Sequence, residues 1–481
     1  MQAGNLVQKT KFYIDGVWQL AESEAVIEVV NPATDMAYAV IAAGSAADVD
    51  KAVQAACRAF PSWSDTLLSQ RLDLIKKLVA IYEEQADDMA KVISDEMGAP
   101  IRLAKDAQAA AGLYHIKAFL NAVEHYSFEE LVSSQLSDQH IVHEPIGVCG
   151  LITPWNWPIN QIALKVIPAL IVGCTVVLKP SEIAPMSALL FAEFVDKAGF
   201  PKGVFNLVNG DGITTGEALS NHPQVDMMSF TGSTRAGIAV SRAAAGTIKR
   251  VSLELGGKSP NIVFADSDLE KAITRGVVHC FENTGQSCNA PTRMLVERSV
   301  YDQAVTLAHT AAENTKVGLP SQDGDHIGPL ASSMQFDKVQ QMIEAGISEG
   351  AKLIVGGSGR PDGFSVGSFV KPTVFANVDN NMMIAREEIF GPVLVMIPFD
   401  TEEDAISIAN DTPYGLAAYV QTGDAERAKR VSRKLRAGMI QINGTSRAPG
   451  TPFGGYKQSG NGREGGRWGL EDFLEVKLIS G

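Results

Sequence analysis

Residues 148–208 decide the fold prediction, and they read VCGLITPWNWPINQIALKVIPALIVGCTVVLKPSEIAPMSALLFAEFVDKAGFPKGVFNLV. Short apolar runs at 148–153, 175–178 and 204–208 are typical of buried strands. Residues 185–198 predict a helix, with a proline at its start and Gly199 directly after its end. Strands that alternate with helices predict a parallel sheet covered by helices on both faces.

The second half of the chain repeats this pattern. Apolar runs at 262–264, 295–297, 374–378 and 392–399 predict strands, and residues 404–410 and 424–435 predict helices. Upstream, residues 12–32 contain short β-prone pieces, and two segments with apolar residues at helical spacing follow Ser45. We therefore expect an α/β protein with two parallel-sheet lobes.

Residues 124–143 differ from both lobes. Polar and apolar residues alternate there, between a predicted helix and the first predicted strand of the parallel sheet. Alternation of this kind favours strands, so the segment predicts a projecting hairpin.

Bulk properties exclude several classes of protein. The 481 residues exceed the roughly 250–300 that one core supports, so two or three domains are expected. A formal net charge of −14 disfavours nucleic acid as a partner, because an acidic surface repels phosphates. No apolar run approaches the ~18 residues of a membrane span, and residues 1–11 lack the apolar core of a signal peptide. These features predict a cytoplasmic protein with no membrane partner.

The cysteines favour a reducing compartment. There are five, scattered along the chain and without a C-x-x-C pair. This pattern does not build a disulfide scaffold and offers no spacing for zinc ligands, so no metal site is predicted.

Cys288 is the first candidate for chemistry. It lies in FENTGQSCNAPT (281–292), among small and polar residues after Gly285. A thiolate in such a turn can be reached by a substrate and stabilised by backbone amides. The alternative is a small buried cysteine without a chemical role.

Two further segments carry a carboxylate and an amide. Glu254 stands between two leucines in VSLELGGKSP (251–260), where an apolar setting raises a carboxyl pKa towards the range of a general base. The alternative is a strand-end glutamate paired with a lysine such as Lys258. In PWNWP (154–158), the side-chain amide of Asn156 can donate to a developing oxyanion, and the alternative is an ordinary turn asparagine.

Together these segments resemble the aldehyde dehydrogenase superfamily, over residues 13–477. The glutamate block LELGGK (253–258) and the cysteine block around Cys288 are highly specific in combination. Other matching motifs are PWN (154–156), LKPSE (178–182), FTGS (230–233), EEIFGP (387–392) and PFGGYK (452–457). The resemblance implies the aldehyde dehydrogenase fold, with a Rossmann-like NAD(P)-binding lobe (1–122 and 145–256), a catalytic lobe (257–448) and a small β oligomerisation element (123–144 and 462–481).

The resemblance also implies a reaction, the NAD(P)-dependent oxidation of an aldehyde to a carboxylic acid. Cys288 would attack the aldehyde, and its own N–H and the Asn156 amide would hold the oxyanion of the thiohemiacetal. Loss of hydride to the nicotinamide leaves a thioester, which water activated by Glu254 would hydrolyse. Lys165 and Glu464 match positions that assist proton transfer in relatives.

The cofactor prediction combines a local pattern with the resemblance. No G-x-G-x-x-G follows a strand, but 230–237 (FTGSTRAG) end an apolar run, and a helix opening there would direct amides at a pyrophosphate. In relatives, the positions of Lys179 and Glu182 contact the adenosine ribose. Glu182 favours NAD, because its charge repels a 2′-phosphate, whereas Lys179 keeps NADP possible. The predicted cofactor contacts are Ile152, Thr153, Pro154, Trp155, Lys179, Ser181, Glu182, Phe230, Gly232, Ser233, Leu255, Gly256, Glu388 and Phe390.

The substrate pocket is predicted from the same alignment of motifs. Trp157, Leu164 and Phe453 predict a tunnel with apolar or aromatic walls and a medium-sized or aromatic aldehyde as substrate. Arg447 is either an exposed, solvated arginine or the anchor of a distant carboxylate. The remaining predicted pocket residues are Glu282, Ser287 and Asn289.

The resemblance further implies a homodimer or homotetramer, in which strands within 127–143 and 472–479 pair with a neighbouring subunit. Other functions stay open. These are a semialdehyde dehydrogenase that transfers the acyl group to coenzyme A, a non-catalytic structural relative and a cysteine hydrolase. The intact Glu254 disfavours the first, since relatives that acylate coenzyme A typically lack it. A hydrolase would need a histidine partner for Cys288, and His279 is expected to pack within its helix instead.

Overall fold

The computed structural model describes residues 6–133 and 136–481. Residues 1–5 of the predicted cofactor lobe, and residues 134 and 135 of the predicted hairpin, lie outside the described residues. The strands in chain order are β1 (Val7–Lys9), β2 (Lys11–Ile14), β3 (Val17–Leu20), β4 (Val26–Asn31), β5 (Met36–Ala42), β6 (Glu129–Ser133), β7 (Leu136–Pro145), β8 (Val148–Ile152), β9 (Thr175–Lys179), β10 (Phe205–Leu207), β11 (Met227–Thr231), β12 (Arg250–Glu254), β13 (Pro260–Val263), β14 (Arg293–Glu297), β15 (Lys352–Val355), β16 (Thr373–Ala376), β17 (Val393–Phe399), β18 (Ala417–Gln421), β19 (Met439–Ile442) and β20 (Leu474–Ser480).

Helices surround these strands. They are α1 (Ala46–Ser64), α2 (Leu68–Glu84), α3 (Ala86–Met97), α4 (Ile101–Leu103), α5 (Ala110–Glu124), α6 (Pro158–Val172), α7 (Met186–Ala198), α8 (Glu217–Asn221), α9 (Thr234–Ala245), α10 (Leu269–Phe281), α11 (Tyr301–Glu313), α12 (Ser333–Ser348), α13 (Met383–Arg386), α14 (Glu402–Asn410), α15 (Ala425–Lys434) and α16 (Gly466–Glu471). A π-helical segment, Ala104–Ala109, joins α4 to α5. Within the described ranges, no helix combines the length and the apolar character that crossing a bilayer requires.

The first sheet has seven strands in the order β12-β11-β8-β9-β10-β2-β3. Its pairs from β12 to β10 are parallel, and β2 and β3 extend it antiparallel. The apolar runs at 148–153, 175–178 and 204–208 are confirmed as β8, β9 and β10, and the helix predicted at 185–198 is α7. Gly199 ends α7 in the left-handed conformation, at φ 81°, as its position predicted.

The second sheet also has seven strands, ordered β15-β16-β17-β14-β13-β18-β19. All its pairs are parallel except β15 with β16. The predicted strands of the second half are confirmed as β13, β14, β16 and β17. The helix predicted from residue 404 begins earlier, at Glu402, because Thr401 and Asp404 form a capping box at its start.

Two three-stranded sheets complete the fold. One contains β1, β5 and β4, and the other has the order β20-β7-β6. The predicted hairpin is confirmed as β6 and β7, and the chain's tail pairs antiparallel with β7 from Leu474↔Pro145 to Ser480↔Gln139. Hairpin and tail thus pair with each other within one chain. Of residues 462–481, only β20 joins this sheet, whereas α16 contacts α5 and α6.

The connection between the two large sheets positions the candidate site. The chain passes from β12 to β13 over residues 255–259. Neighbouring parallel strands end at the same edge, so the loops after β8, β9, β11 and β12 emerge together. The loops that precede β14 and β17 meet them there, as the hydrogen bonds Asn156–Gln286 and Gly257–Glu388 demonstrate.

Candidate active site

A cavity of 610 Å³ lies where these loops meet. Its walls include Cys288, Glu254 and Asn156, which are far apart in the sequence. The three predicted centres of chemistry therefore share one cavity.

The loop that carries Cys288 follows α10 and depends on glycine. Asn283, Thr284 and Gly285 all have positive φ, of 52°, 57° and 72°. A Cβ on Gly285 would lie 2.1 Å from the carbonyl oxygen of Gly391, so a side chain there would push the loop off its neighbour. This packing fixes the backbone that presents Cys288, whose side chain is half-buried.

Asn156 is held by hydrogen bonds on both its side chain and its backbone. Its Nδ2 donates to the carbonyl of Gln286, at 2.9 Å, within the cysteine loop. Its own carbonyl accepts from Gln108 Nε2 and Asn283 Nδ2, each at 3.0 Å. The residue is 5% exposed. An amide fixed this firmly beside the cysteine loop suits an oxyanion donor, because a preorganised dipole needs no reorientation during reaction.

Gln108 and Asn283 were not predicted from the sequence. Gln108 lies on the π-helical segment and is fully buried, and its Nε2 also donates to Asn283 Oδ1 at 3.1 Å. A wide turn of this type often marks a functional site, but the residue pattern of 104–109 does not reveal it. Asn283 belongs to the cysteine segment 281–292, but the sequence did not indicate that its side chain would bond to Asn156 and Gln108.

The environment of Cys288 keeps its sulfur protonated. Burial raises the pKa of the thiol well above its ordinary value, and the carboxylates of Glu388, Glu254 and Glu464 raise it further. A backbone amide lowers this pKa, as the sequence suggested, but the amide is outweighed. Cys288 is therefore a thiol at rest, and the nucleophilic role predicted for it requires loss of the thiol proton.

Glu254 ends β12 and is fully buried. Burial raises its pKa well above the ordinary value, Glu464 raises it further, and Lys165 opposes the shift. Neither carboxylate oxygen accepts a hydrogen bond from a residue that the structure describes. Lys258 Nζ likewise donates no hydrogen bond to a described residue. A pairing of Glu254 with Lys258 is therefore wrong, and the lysine whose charge acts on Glu254 is Lys165.

Lys165 and Glu464 form a buried ion pair. Their Nζ and Oε1 atoms are 2.5 Å apart, and the residues are 1% and 4% exposed. The backbone of Glu464 is fixed by reciprocal hydrogen bonds with Phe453, both of 2.8 Å. Because the charge of Glu464 acts on both Glu254 and Cys288, the pair belongs electrostatically to the cavity.

One end of the cavity is walled by residues predicted to contact the cofactor. Trp155 and Phe390 meet edge to face there, with ring centroids 5.3 Å apart. Glu388 Oε1 accepts from the Gly257 N–H at 2.9 Å, and a Cβ on Gly256 would lie 2.3 Å from its other oxygen. The predicted residues in this wall are Pro154, Trp155, Gly232, Ser233, Leu255, Gly256, Glu388 and Phe390.

The other predicted cofactor residues do not line this cavity. Ile152, Thr153, Lys179, Ser181, Glu182 and Phe230 lie on or directly after β8, β9 and β11, at the same sheet edge. Lys179 Nζ donates to the Pro180 carbonyl at 2.8 Å and to Glu182 Oε2 at 3.4 Å. Burial lowers the pKa of Lys179, which Glu182 partly restores.

The opposite end of the cavity holds most of the predicted substrate residues. Trp157 Nε1 donates to Ser287 Oγ at 2.9 Å, and the Tyr419 hydroxyl donates to the carbonyl of Asn289 at 2.8 Å. Glu282, Arg447 and Phe453 complete the predicted set in this wall, which also includes Tyr114, His115, Asn160, Gln161 and His279.

Leu164 is the exception among the predicted substrate residues. It lies in the wall of a separate, smaller cavity, and Asn160 and Gln161, one turn earlier on α6, face the substrate cavity instead. The predicted apolar wall is therefore more polar than the sequence suggested. Residues about one turn apart share a helix face, so the sequence alone did not show which turn meets the cavity.

Arg447 combines features of both predicted alternatives. The residue is exposed, yet its guanidinium lies over the Phe453 ring, 4.9 Å from the centroid, in the cavity wall. Burial of the guanidinium lowers its pKa. His279, expected to pack within its helix, lies edge to face against Tyr419 of β18, with centroids 5.1 Å apart, and also lines the cavity.

Comparison with known proteins places this geometry in a family. Residues 18–479 match the model of the aldehyde dehydrogenase family. The 3-succinoylsemialdehyde-pyridine dehydrogenase of a Pseudomonas species is 54% identical over 472 residues, which are 98% of this chain and 98% of that protein.

Solved structures agree with that match. The crystal structure of an aldehyde dehydrogenase from Bartonella henselae is 53% identical, has a TM-score of 0.98, and covers 99% of this chain and 100% of its own. A cysteine-to-alanine mutant of aldehyde dehydrogenase C from Pseudomonas syringae, complexed with NAD+ and octanal, is 50% identical with a TM-score of 0.96, covering 98% and 96%. The chain therefore belongs to the aldehyde dehydrogenase family of oxidoreductases.

Proposed function

We propose that this protein oxidises an aldehyde to its carboxylic acid with NAD, through a thiohemiacetal and a thioester on Cys288 that water activated by Glu254 hydrolyses. The observation that carries the proposal is the convergence of Cys288, Glu254 and Asn156 on one 610 Å³ cavity. A nucleophile, a base and an oxyanion donor are the groups that acyl chemistry at an aldehyde carbon requires.

Cys288 performs the first step. Its sulfur adds to the aldehyde carbon, its proton passes to a base, and the carbonyl oxygen becomes an oxyanion. The Asn156 amide, fixed against Gln286, and the Cys288 N–H are the donors that stabilise this oxyanion. NAD, when bound, supplies the hydride acceptor for the oxidation.

Glu254 performs the second half of the reaction. Its raised pKa makes it a base strong enough to take a proton from water near neutral pH. The hydroxyl oxygen adds to the thioester carbon, the carbon–sulfur bond breaks, and the thiolate is protonated again. We assign the Lys165–Glu464 pair to proton transfer from Glu254, since its charges already act on that carboxylate.

The residues of the cofactor end fit a dinucleotide. Ser233 caps α9 by accepting from the Ala236 N–H, which leaves the first backbone amides of this helix available to a pyrophosphate. The bare backbone of Gly256 beside the Glu388 carboxylate leaves space for a ribose, because any side chain there would collide with that carboxylate.

The pairing of Lys179 with Glu182 supports NAD over NADP. The lysine amine is already shared between a backbone carbonyl and Glu182, and the glutamate remains to repel a 2′-phosphate. NAD+ is also the cofactor bound in the solved relatives from Pseudomonas syringae and Mycobacterium tuberculosis. NADP stays the second cofactor to assay.

The substrate end supports a medium-sized or aromatic aldehyde. Trp157, Phe453 and Tyr114 supply aromatic walls, and Arg447 can meet a polar group at the distal end of the substrate. One relative is named for a pyridine-bearing semialdehyde, and another was crystallised with octanal. Both aldehydes carry a tail of the size that we propose.

The direct test is a panel of aldehydes. Purified protein should reduce NAD with aliphatic, aromatic and carboxylated aldehydes to different extents, followed by absorbance of the reduced cofactor, with NADP in parallel. No reduction across the panel would contradict the proposal. Negligible turnover until coenzyme A is added would establish acyl transfer in its place.

Three structural assignments accompany this function. We propose 1–122 with 145–256 as the cofactor lobe, 257–448 as the catalytic lobe, and 123–144 with 462–481 as the oligomerisation element. The outer edges of the β20-β7-β6 sheet support pairing between subunits into a homodimer or homotetramer. The free cysteines support a cytoplasmic location.

A further inference from the structure

A small side chamber of 90 Å³ adjoins the substrate cavity. The two cavities share Tyr114, His115, Asn160, Gln161, Arg447 and Phe453 as walls. Leu164, Glu464, Gly450 and Gly465 also line the side chamber.

Two buried oxygen atoms of residues that line this side chamber accept no hydrogen bond from any residue that the structure describes. Gln161 and Glu464 both line it and are 5% and 4% exposed. Neither Gln161 Oε1 nor Glu464 Oε2 accepts a hydrogen bond within the described parts of the chain. Buried acceptors are nearly always satisfied, and a polar chamber beside them points to water as the donor.

The side chamber has the size and the polarity that water needs. At the ~30 Å³ that a molecule occupies in the liquid, its volume holds about three waters. His115, whose pKa is lowered to about 4 by burial and then by Arg447, is neutral near pH 7 and can both donate and accept. With Asn160 and the two unpartnered oxygens, each water finds several partners.

The side chamber also lies next to the proposed base. Phe453 and Glu464 face each other across reciprocal backbone hydrogen bonds, and Gly454 follows Phe453. A Cβ on Gly454 would stand 2.6 Å from Glu254 Oε1, so the Glu254 carboxylate rests directly against this backbone. Water held on Glu464 is therefore close to the carboxylate that must activate water.

We propose that the side chamber stores the water consumed in thioester hydrolysis, and that Gln161 is a positioning residue that holds this water through Oε1. In each turnover one water gives a proton to Glu254 and its hydroxyl to the acyl carbon, the carbon–sulfur bond breaks, and Glu254 returns the proton to sulfur. A stored water then replaces the one consumed. The inference rests on the proposed function.

The test uses Gln161→Met, which removes the acceptor and keeps the length of the side chain. Gln303→Leu, at an exposed glutamine on α11, is the control. With an aldehyde that the wild type oxidises, Gln161→Met should lower steady-state kcat about tenfold, because deacylation becomes limiting. The first turnover should still release a full burst of reduced NAD, and the solvent deuterium isotope effect on kcat should increase.

The outcomes separate this inference from the proposed function. If wild type and Gln161→Met share the same kcat, or if the burst slows as much as kcat, the positioning role is refuted while the dehydrogenase remains. If the wild type fails to reduce NAD with every aldehyde tested, the proposed function is wrong, and this inference is wrong with it. A high-resolution crystal structure should place water within hydrogen-bonding distance of Gln161 Oε1 and Glu464 Oε2, and a dry side chamber would overturn the inference.

Discussion

Replacing Glu464 with glutamine should destabilise the fold, because it leaves the ammonium of Lys165 buried without its counter-charge. The two groups are 2.5 Å apart and almost completely buried. The charge of Lys165 also acts on Glu254, whose carboxyl has its pKa raised chiefly by burial and then by Glu464 itself. Ionisation of Glu254 next to the unpaired lysine would recover only part of the loss.

The magnitude follows from the burial of both partners. Removing one member of a buried ion pair typically costs about 3–5 kcal/mol, whereas an exposed pair contributes about 1 kcal/mol or less. We expect Glu464→Gln and Lys165→Met each to lower the free energy of unfolding by roughly 3 kcal/mol. The double variant Lys165→Met/Glu464→Leu should lose less than the sum, since neither charge remains unpaired.

The assay is chemical denaturation followed by tryptophan fluorescence, in which a lower midpoint at unchanged slope reports lost stability. Glu83→Gln is the matched control. Glu83 accepts from Lys117 at 2.6 Å, but the side chains of the pair are 48% and 56% exposed. Equal losses for Glu83→Gln and Glu464→Gln would refute the reasoning, as would a double variant that loses the full sum.

Other expected outcomes test the site. Cys288→Ala should abolish NAD reduction while calorimetry still detects NAD binding; residual turnover would contradict the role of the sulfur. In the proposed mechanism the reactive forms of Cys288 and Glu254 are deprotonated, and both pKa values are raised, so kcat/KM should increase as the pH rises from neutral; a profile that falls would be inconsistent. Arg447→Leu should lower kcat/KM about tenfold, or about 1.4 kcal/mol, for aldehydes with a distal carboxylate relative to octanal. If the ratio of the two kcat/KM values does not change, Arg447 does not bind the carboxylate. Gly285→Ala should inactivate the enzyme, since its Cβ would meet the Gly391 carbonyl at 2.1 Å, whereas Gly350→Ala, also at positive φ but with no atom within 4 Å, should retain activity in the same assay.

Local sequence patterns predicted the strands of both large sheets well. The residues of β8 and β9 are buried along their whole length, so their apolar runs carried a clear signal. The motifs that contain Cys288, Glu254 and Asn156 could also be identified, because each has a distinct composition, and the roles of these residues stay predictions. Their convergence in one cavity depends on the sheet topology, which brings loops from both large sheets together.

The surroundings of these residues were less predictable. Whether Leu164 or Asn160 faces the substrate cavity depends on how α6 is rotated against its neighbours, and α6 is apolar on most of its surface. Its hydrophobic pattern therefore did not distinguish one face from another. The support of Asn156 by Gln108 depends on a π-helical segment, which leaves no periodic pattern in the sequence.

In the proposed mechanism, the charges around the cavity bear on which proton transfer activates Cys288. Burial raises the pKa of both Cys288 and Glu254, and the negative charge of Glu464 acts against both ionisations. Loss of the thiol proton to solvent would add a negative charge beside Glu388, which is buried and whose own pKa is raised. Transfer of that proton to an ionised Glu254 adds no net charge, because one anion replaces another. The cavity therefore favours direct or water-mediated transfer from sulfur to Glu254, and the carboxyl that accepts the proton must release it before it can serve as base for hydrolysis. This order agrees with the role proposed for the buried Lys165–Glu464 pair, whose charges act on Glu254, because a released proton needs an exit that does not pass back through sulfur.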